Sequence, residues 1–277
     1  MQAFVVTVPL GDVEFASDML WGLGVVAIEE RVAARTSHVE LWTAVGDEPD
    51  AITEATAALA EHAARWVVRV IEVDESVADT WRDYAEPTWI TPDLAVCPSW
   101  RNLAVDAAIC LQIDPGPTFG MGDHPTTVLS LRALAAAIRG GETVLDVGCG
   151  SGVLAVGACR LGAAQAFGID ISPACVEVTT ANAIANGVDS VVSVATTPLA
   201  QVDGTYDVVV ANILAPVLIE LADDLRRVMA PGGLLIISGV LADHHEHVEQ
   251  ALLPLQRVDR LVRDGWAAVS LRMLATG

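Results

Sequence analysis

From residue 126 onward, helix-like stretches alternate with short, largely apolar runs, and this alternation restricts the fold more than any other feature of the chain. The runs are TVLDV, AFGI, YDVVVANI and GLLIIS. A strand that is apolar at consecutive positions has no face to offer water, so it belongs in a parallel sheet covered by helices on both sides. Helices are expected over 126–138, 152–162, 173–187, 216–229 and 242–252, and strands over 142–147, 165–170, 191–194, 206–211, 233–238 and 266–274. Elements in that order make a doubly wound α/β domain.

The first 73 residues read differently. Strands are expected over 2–8, 25–31, 36–43 and 65–73, with helices over 11–24 and 50–64. The order β-α-β-β-α-β suggests a small ferredoxin-like α+β domain. It carries no glycine-rich loop and no His/Cys cluster, so a recognition role and a stabilising appendage both fit. Residues 74–88 read as a linker helix stopped by Pro87, and short strands are expected around 89–97 and 103–113. The expected division is therefore 1–73, 74–88 and 89–277. Trp81, Tyr84, Trp89 and Trp100 cluster near the junction, suited to packing between domains or to facing a substrate.

The net charge of −21 opposes binding to nucleic-acid phosphates and favours a cationic partner, although acidity also serves solubility. All 15 basic residues are arginine. A GC-rich genome explains that, and so would a lysine-modifying enzyme that avoids modifying itself. No uncharged apolar run reaches the roughly 18 residues of a membrane span. The start, MQAFVVTVPL, has no basic segment and no cleavage signal, so a cytoplasmic protein is expected. The five cysteines, at 97, 110, 149, 159 and 175, form no CxxC and fit reduced thiols.

The segment VLDVGCGSGVLAVGA ends the first strand of the larger domain. Gly148, Gly150 and Gly152 permit a tight turn and a close backbone approach by a ligand at the carboxyl edge of the sheet. The pattern D-x-G-x-G-x-G departs from the dinucleotide fingerprint G-x-G-x-x-G. Asp146 would repel a pyrophosphate, whereas a ligand with an ammonium, a sulfonium and no phosphate would accept it. S-adenosylmethionine is such a ligand. Asp170, twenty residues beyond Gly150, ends the next strand and is placed to accept both ribose hydroxyls. A turn that only packs helix on strand would not explain two strand-end acids.

Asn212 ends the strand YDVVVAN. It is a candidate to hold a nucleophile or to touch the amino-acid part of the cofactor, or else to cap the following helix. The segment Asn212-Ile213-Leu214-Ala215 has no aromatic to stack on a flat base, so an aliphatic amine suits it better. Such an amine must be neutral to attack, and a free lysine titrates near 10.4. Burial and alignment supply most of what the reaction needs, and no metal is required. The cluster DHHEH, Asp243 to His247, does not fit a zinc spacing and reads as a solvated helix end capped by Asp243.

The segments DPGPTFGMGDHPTTVLSL, VLDVGCGSGVLAVGACRLGAAQAFGIDISP, YDVVVANILAPVLIELA and PGGLLIISGVLA together resemble the PrmA family, bacterial methyltransferases of large-subunit ribosomal protein eleven. The resemblance covers nearly the whole chain, the first 73 residues only in layout. It implies a Rossmann-like class I methyltransferase domain using S-adenosyl-L-methionine. It implies that Thr127, Gly148, Asp170 and Asn212 contact the cofactor, beside Asp146 and Gly150, and that Phe119 lies near the methyl donor. Asn212 and Phe119 are then the candidate catalytic residues. The implied substrate is a basic ribosomal protein, N-methylated on lysines and the N-terminal amine and gripped by the N-terminal domain. Direct nucleic-acid binding and membrane contact are not expected, and a monomer is.

In FGMGDHPTT, Pro125 suits the first turn of a helix capped by His124 or Asp123. His124 reads as a structural loop residue or as a general base. Met121 and Asp123 replace family threonines and Pro216 a family glycine, which bears on the target more than on the chemistry. Two other functions remain open from sequence: a methyltransferase of the same fold acting on another protein or a small amine, and a cofactor-binding module without turnover.

Overall fold

Period-two alternation in a sheet whose two faces are both apolar requires two cores, and the larger unit has them. A computed structural model of the chain describes residues 2–23, 25, 28–32, 37–43, 49–62, 64–72, 85–101, 104–116, 118, 120–243 and 245–273. Two units separate, Met1–Ala85 and Glu86–Gly277.

The first unit contains β1 (Gln2–Pro9), α1 (Val13–Gly22), β2 (Ile28–Val32), β3 (His38–Thr43), α2 (Pro49–Ala58) and β4 (Val67–Glu72). The strands lie in the order β2-β3-β1-β4, with every neighbouring pair antiparallel. Alternate residues Phe4, Val6 and Val8 of β1 face Ala16 and Leu20 of α1 and Ala55 of α2 in one core. Asp12 fixes the turn before β4: Arg65 donates to its Oδ1 at 2.7 Å and Trp66 Nε1 to its Oδ2 at 2.9 Å. Of the expected linker helix 74–88, residues 74–84, with Trp81 and Tyr84, lie outside the described residues, and Thr88 already opens a strand.

The second unit begins with a small sheet of β5 (Thr88–Thr91), β6 (Leu94–Pro98) and β7 (Ile109–Ile113). The single strand expected over 89–97 is two, because Pro92 and Asp93 make a turn. β5 and β6 run antiparallel, β6 and β7 parallel. Cys97 of β6 and Cys110 of β7 form a disulfide, which corrects the expectation of five reduced thiols; Cys149, Cys159 and Cys175 are free.

The main sheet follows. Its elements are α3 (Pro125–Ala137), β8 (Thr143–Val147), α4 (Val153–Arg160), β9 (Gln165–Ile169), α5 (Ala174–Ala185), β10 (Val192–Ala195), β11 (Tyr206–Asn212), α6 (Ala215–Glu220), α7 (Ala222–Arg227), β12 (Met229–Leu241), α8 (Glu246–Ala251), β13 (Gln256–Arg263) and β14 (Trp266–Arg272). The strand order is β10-β9-β8-β11-β12-β14-β13. The first five are parallel and β14 is antiparallel to both its neighbours. Val144, Val208, Val210 and Ile236 enter one core, whereas Leu145, Val209, Ala211 and Ile237 enter the other. The chain winds outward from β8 to β10, then returns to β11 beside β8. Ligands of open α/β sheets bind at such a reversal, beyond the carboxyl ends of the strands.

Three expectations differ. The helix expected over 216–229 is two short helices, α6 and α7, separated at Leu221. The helix expected over 242–252 is confined to Glu246–Ala251. Strand β13 was not foreseen: a bulge between Arg257 and Asp259 breaks its two-residue alternation, and six of its eight residues are exposed.

Candidate functional site

The turn after β8 needs its glycines. Gly148, Gly150 and Gly152 have φ of 75°, 53° and 75°, a region costly for residues with a Cβ. Space forbids a side chain as well. A Cβ on Gly148 would strike the Ile213 side chain after β11, and one on Gly152 would sit 2.5 Å from Thr179 Cγ2 of α5. The N–H groups of Gly148 and Cys149 donate to Ile169 O at 2.8 and 3.0 Å. The ends of β8, β9 and β11 are thereby drawn together.

Asp170 closes this arrangement from β9. Its Oδ2 accepts from Gly150 N and its Oδ1 from Ser172 N, each at 2.9 Å. A carboxylate oxygen has about two acceptor sites, so both oxygens retain capacity for further donors. Ile171 beside it is 96% exposed, an apolar side chain at the rim that the sequence reading passed over. An isoleucine directly after a strand-end acid was the available signal.

Asp146 is fully buried, so it does not line an open pocket as the sequence suggested; it underlies the turn. Its Oδ2 accepts from Ala155 N of α4 at 3.1 Å, and its Oδ1 has no partner. Burial, opposed by the Ala155 hydrogen bond and reinforced by the charge of Asp170, lifts its pKa from 3.8 to about 7. Between about 4 and 7 the folded chain holds a proton that the unfolded chain has released. Stability from this group is complete below the unfolded value and is lost as pH rises through that window. Asp146→Asn should therefore flatten the loss, gaining on the parent by about 2 kcal/mol between pH 5 and 7 in denaturant titrations.

Asn212 ends β11 opposite Ser238 and is half-buried. It does not cap α6: Leu214 holds the cap position, with no side-chain bond. Among the described residues nothing bonds to the Asn212 side chain. Gly239, with φ of 84°, lets the chain after Asn212 lie against β12, since a Cβ there would be 2.5 Å from Ile213 O.

The opening segment of α3 is anchored on three sides. His124 is the N-cap: its Nδ1 accepts from Thr126 N at 3.3 Å and lies 2.7 Å from Thr126 Oγ1. Its ring meets Trp266 edge-on at 5.4 Å. Burial lowers its pKa and neighbouring Asp123 partly restores it. An Nδ1 that accepts from a backbone N–H is committed to capping, which favours the structural role over a general base. Thr127, 1% exposed, carries a hydroxyl without a partner. A Cβ on Gly122 would meet Val96 Cγ1 at 2.7 Å, and one on Gly120 would meet Ser151 Oγ at 2.7 Å. Phe119 lies outside the described residues.

The thiols beside the turn are held in their protonated form. Burial, with the charges of Asp146 and Asp170, pushes Cys149 far up, and burial, with Asp170, pushes Cys175 to about 12. Among the described residues no group of three His, Cys, Asp or Glu is placed to hold a metal. His245, expected on a solvated helix end, is buried, with Nε2 3.2 Å from Glu249 Oε1; it takes the N-cap position of α8 in place of Asp243.

Residues 23–273 match the family described as Ribosomal protein L11 methyltransferase (PrmA). A protein named Ribosomal protein L11 methyltransferase from Citrifermentans bemidjiense is 42% identical over 213 residues, 74% of this chain and 69% of that one. Another of that name, from Streptococcus pneumoniae, is 44% identical over 180 residues, 64% of this chain and 57% of that one. The matched segments thus span between 57% and 69% of these two relatives. The crystal structure of a ribosomal protein L11 methylase from Lactobacillus delbrueckii subsp. bulgaricus shares the fold at a TM-score of 0.63 and 32% identity, covering 68% of this chain and 97% of that one.

Proposed function

The chain belongs to the ribosomal protein L11 methyltransferase (PrmA) family, and on that premise we propose that it transfers methyl groups from S-adenosylmethionine to amino groups of ribosomal protein L11, lysine side chains and the N-terminal amine included. The observation that carries this reading is a glycine turn held between two strand-end acids, Asp146 beneath and Asp170 beside it. Among the described residues no basic side chain bonds to residues 148–152, whereas the Asp170 carboxylate bonds to the turn itself, which favours a cationic ligand over a phosphate. A cationic nucleoside fits. When bound, S-adenosylmethionine supplies an electrophilic methyl group on a sulfonium.

The chain's own residues supply the rest. Asp170 accepts the ribose hydroxyls on its remaining acceptor sites, and Ile171 offers an apolar face to the base. The backbone of Gly148 and Gly150 lets the ligand approach without a side chain intervening. Asp146, buried beneath the turn with a pKa of about 7, is only partly ionised at neutral pH, and a positive charge above it favours its ionised form; Thr127 contributes the hydroxyl left without a partner. Asn212 accepts an N–H from the incoming amine and aligns it, and Phe119 is the second candidate for a catalytic role. The substrate lysine must arrive neutral, which a less polar channel promotes by disfavouring its ammonium form. The first unit holds the basic substrate, helped by the chain's charge of −21. The enzyme works in the cytoplasm as a monomer and without binding nucleic acid directly.

The test uses L11 purified from a strain lacking this protein, incubated with methyl-labelled cofactor. Label should enter L11 at amino groups identified by mass spectrometry. Label in another protein or a small amine, with none in L11, would reject the substrate assignment.

A further inference from the structure

Helix α5 carries two asparagines four residues apart, and both are buried: Asn182 at 2% exposure and Asn186, its C-cap, at 6%. Each grips the edge of β7 with both ends of its amide. Gln112 N donates to Asn186 Oδ1 at 2.9 Å, and Asn186 Nδ2 returns a bond to Gln112 O at 2.7 Å. Asp114 N donates to Asn182 Oδ1 at 2.9 Å, and Asn182 Nδ2 returns one to Asp114 O at 2.8 Å. Four residues of helix rise about 6 Å and two of strand about 6.6 Å, so the amides fall in register with alternate strand residues. The helix thus supplies the partner that β7 lacks on that edge.

The two asparagines differ in their remaining bond. Asn186 Nδ2 turns back to Asn182 O within its own helix, at 2.8 Å. Asn182 Nδ2 instead reaches Ser151 O in the glycine turn, at 2.9 Å. Ser151, fully buried, donates its hydroxyl to Gly120 O at 2.6 Å. One path therefore runs from Asp114 through Asn182 and Ser151 to Gly120. It ties both ends of the stretch between Asp114 and Gly120 to the turn that faces the ligand. Gly116 is held against α5 too: a Cβ there would lie 3.2 Å from Val178 Cγ2.

We propose that Asn182 is a positioning residue for cofactor binding, acting through Ser151: it fixes the glycine turn relative to Asp114 and Gly120 and so sets affinity for the adenosyl ligand. This rests on the cofactor assignment above. Asn186 makes equivalent bonds to β7 and none to the turn, so it reports what the purely structural part of such an amide contributes.

The experiment measures S-adenosylhomocysteine binding by calorimetry, with KM and kcat on protein substrate, in the full chain and in Asn182→Ala, Asn186→Ala and Ser151→Ala. Asn182→Ala should weaken binding about tenfold or more and raise KM for the cofactor, with kcat within about threefold. Ser151→Ala should move affinity in the same direction by about threefold to tenfold. Asn186→Ala should lower Tm about as much as Asn182→Ala while its affinity stays within about twofold of the parent. Should Asn182→Ala not fold, Asn182→Asp, which keeps an acceptor for Asp114 N and removes the donor to Ser151 O, decides in its place, with the same expected loss of affinity. Equal melting losses in the two asparagine variants with parental affinity in both, or unchanged affinity in Ser151→Ala, would overturn the proposal. A parent that binds no S-adenosylhomocysteine would overturn the cofactor assignment, and this inference with it.

Discussion

Asp170→Ala should remove detectable cofactor binding from a protein that remains folded. The proposed ligand contacts at Asp170 are two hydrogen bonds to a charged acceptor, each contributing roughly 1.5–3 kcal/mol. Losing both corresponds to a fall in affinity on the order of a hundredfold to ten-thousandfold. Asp170 also accepts from Gly150 N and Ser172 N, so its removal releases the turn that receives the ligand. Asp170→Asn separates the two effects. It retains one oxygen acceptor but replaces the other with a donor facing a backbone N–H, so it should bind measurably yet weakly. Calorimetry with S-adenosylhomocysteine checks the series, and parental affinity in Asp170→Ala would remove the ribose site from the account.

Gly152→Ala should be the most damaging single-methyl change among the glycines of the turn for which the structure allows a direct control. Its φ of 75° costs an alanine roughly 1–2 kcal/mol. The new Cβ would also lie 2.5 Å from Thr179 Cγ2 and 2.7 Å from Thr179 Oγ1. Thr179 cannot yield easily: it is fully buried and its hydroxyl donates to Gly150 O at 3.2 Å. Overpacking of this kind adds about 1–3 kcal/mol, for a total near 3 kcal/mol. Gly141 has φ of 93° but nothing within 4 Å of a Cβ, so Gly141→Ala isolates the backbone contribution. Denaturant unfolding of both variants should show Gly152→Ala losing about twice as much or more. Equal losses would mean that Thr179 moves aside and the turn tolerates side chains.

Features written in local pattern were legible in the sequence. Apolar runs marked β8, β9, β11 and β12 because a strand buried on both faces needs apolar residues at consecutive positions. The glycine spacing and the acids Asp146 and Asp170 marked the ligand end of the sheet because strand ends, glycines and charge coincide there. What the sequence could not show was determined by contacts between distant segments. Asp146 looked like a pocket wall, yet it is fully buried and accepts a bond from Ala155 of α4. Nothing in the sequence singled out Asn182 and Asn186, and only the segment through β7 to Asp114, some seventy positions away, gives them a role. The cap of α3 was narrowed to two residues by its Pro125 signal, but choosing His124 required seeing its Nδ1 accept from Thr126 N, with Trp266 against its ring. The strand β13 was hidden by its own bulge, and the N-cap reading of Asn212 failed because the chain runs two residues further before α6 begins.

On the reading proposed above, the glycine turn between Asp146 and Asp170 selects a phosphate-free, positively charged nucleoside. Calorimetric titration of the intact protein with S-adenosylmethionine and, separately, with NADH tests it most directly. S-adenosylmethionine should bind saturably at one site per chain, and NADH should give no heat of binding. Binding of NADH without binding of S-adenosylmethionine would contradict it.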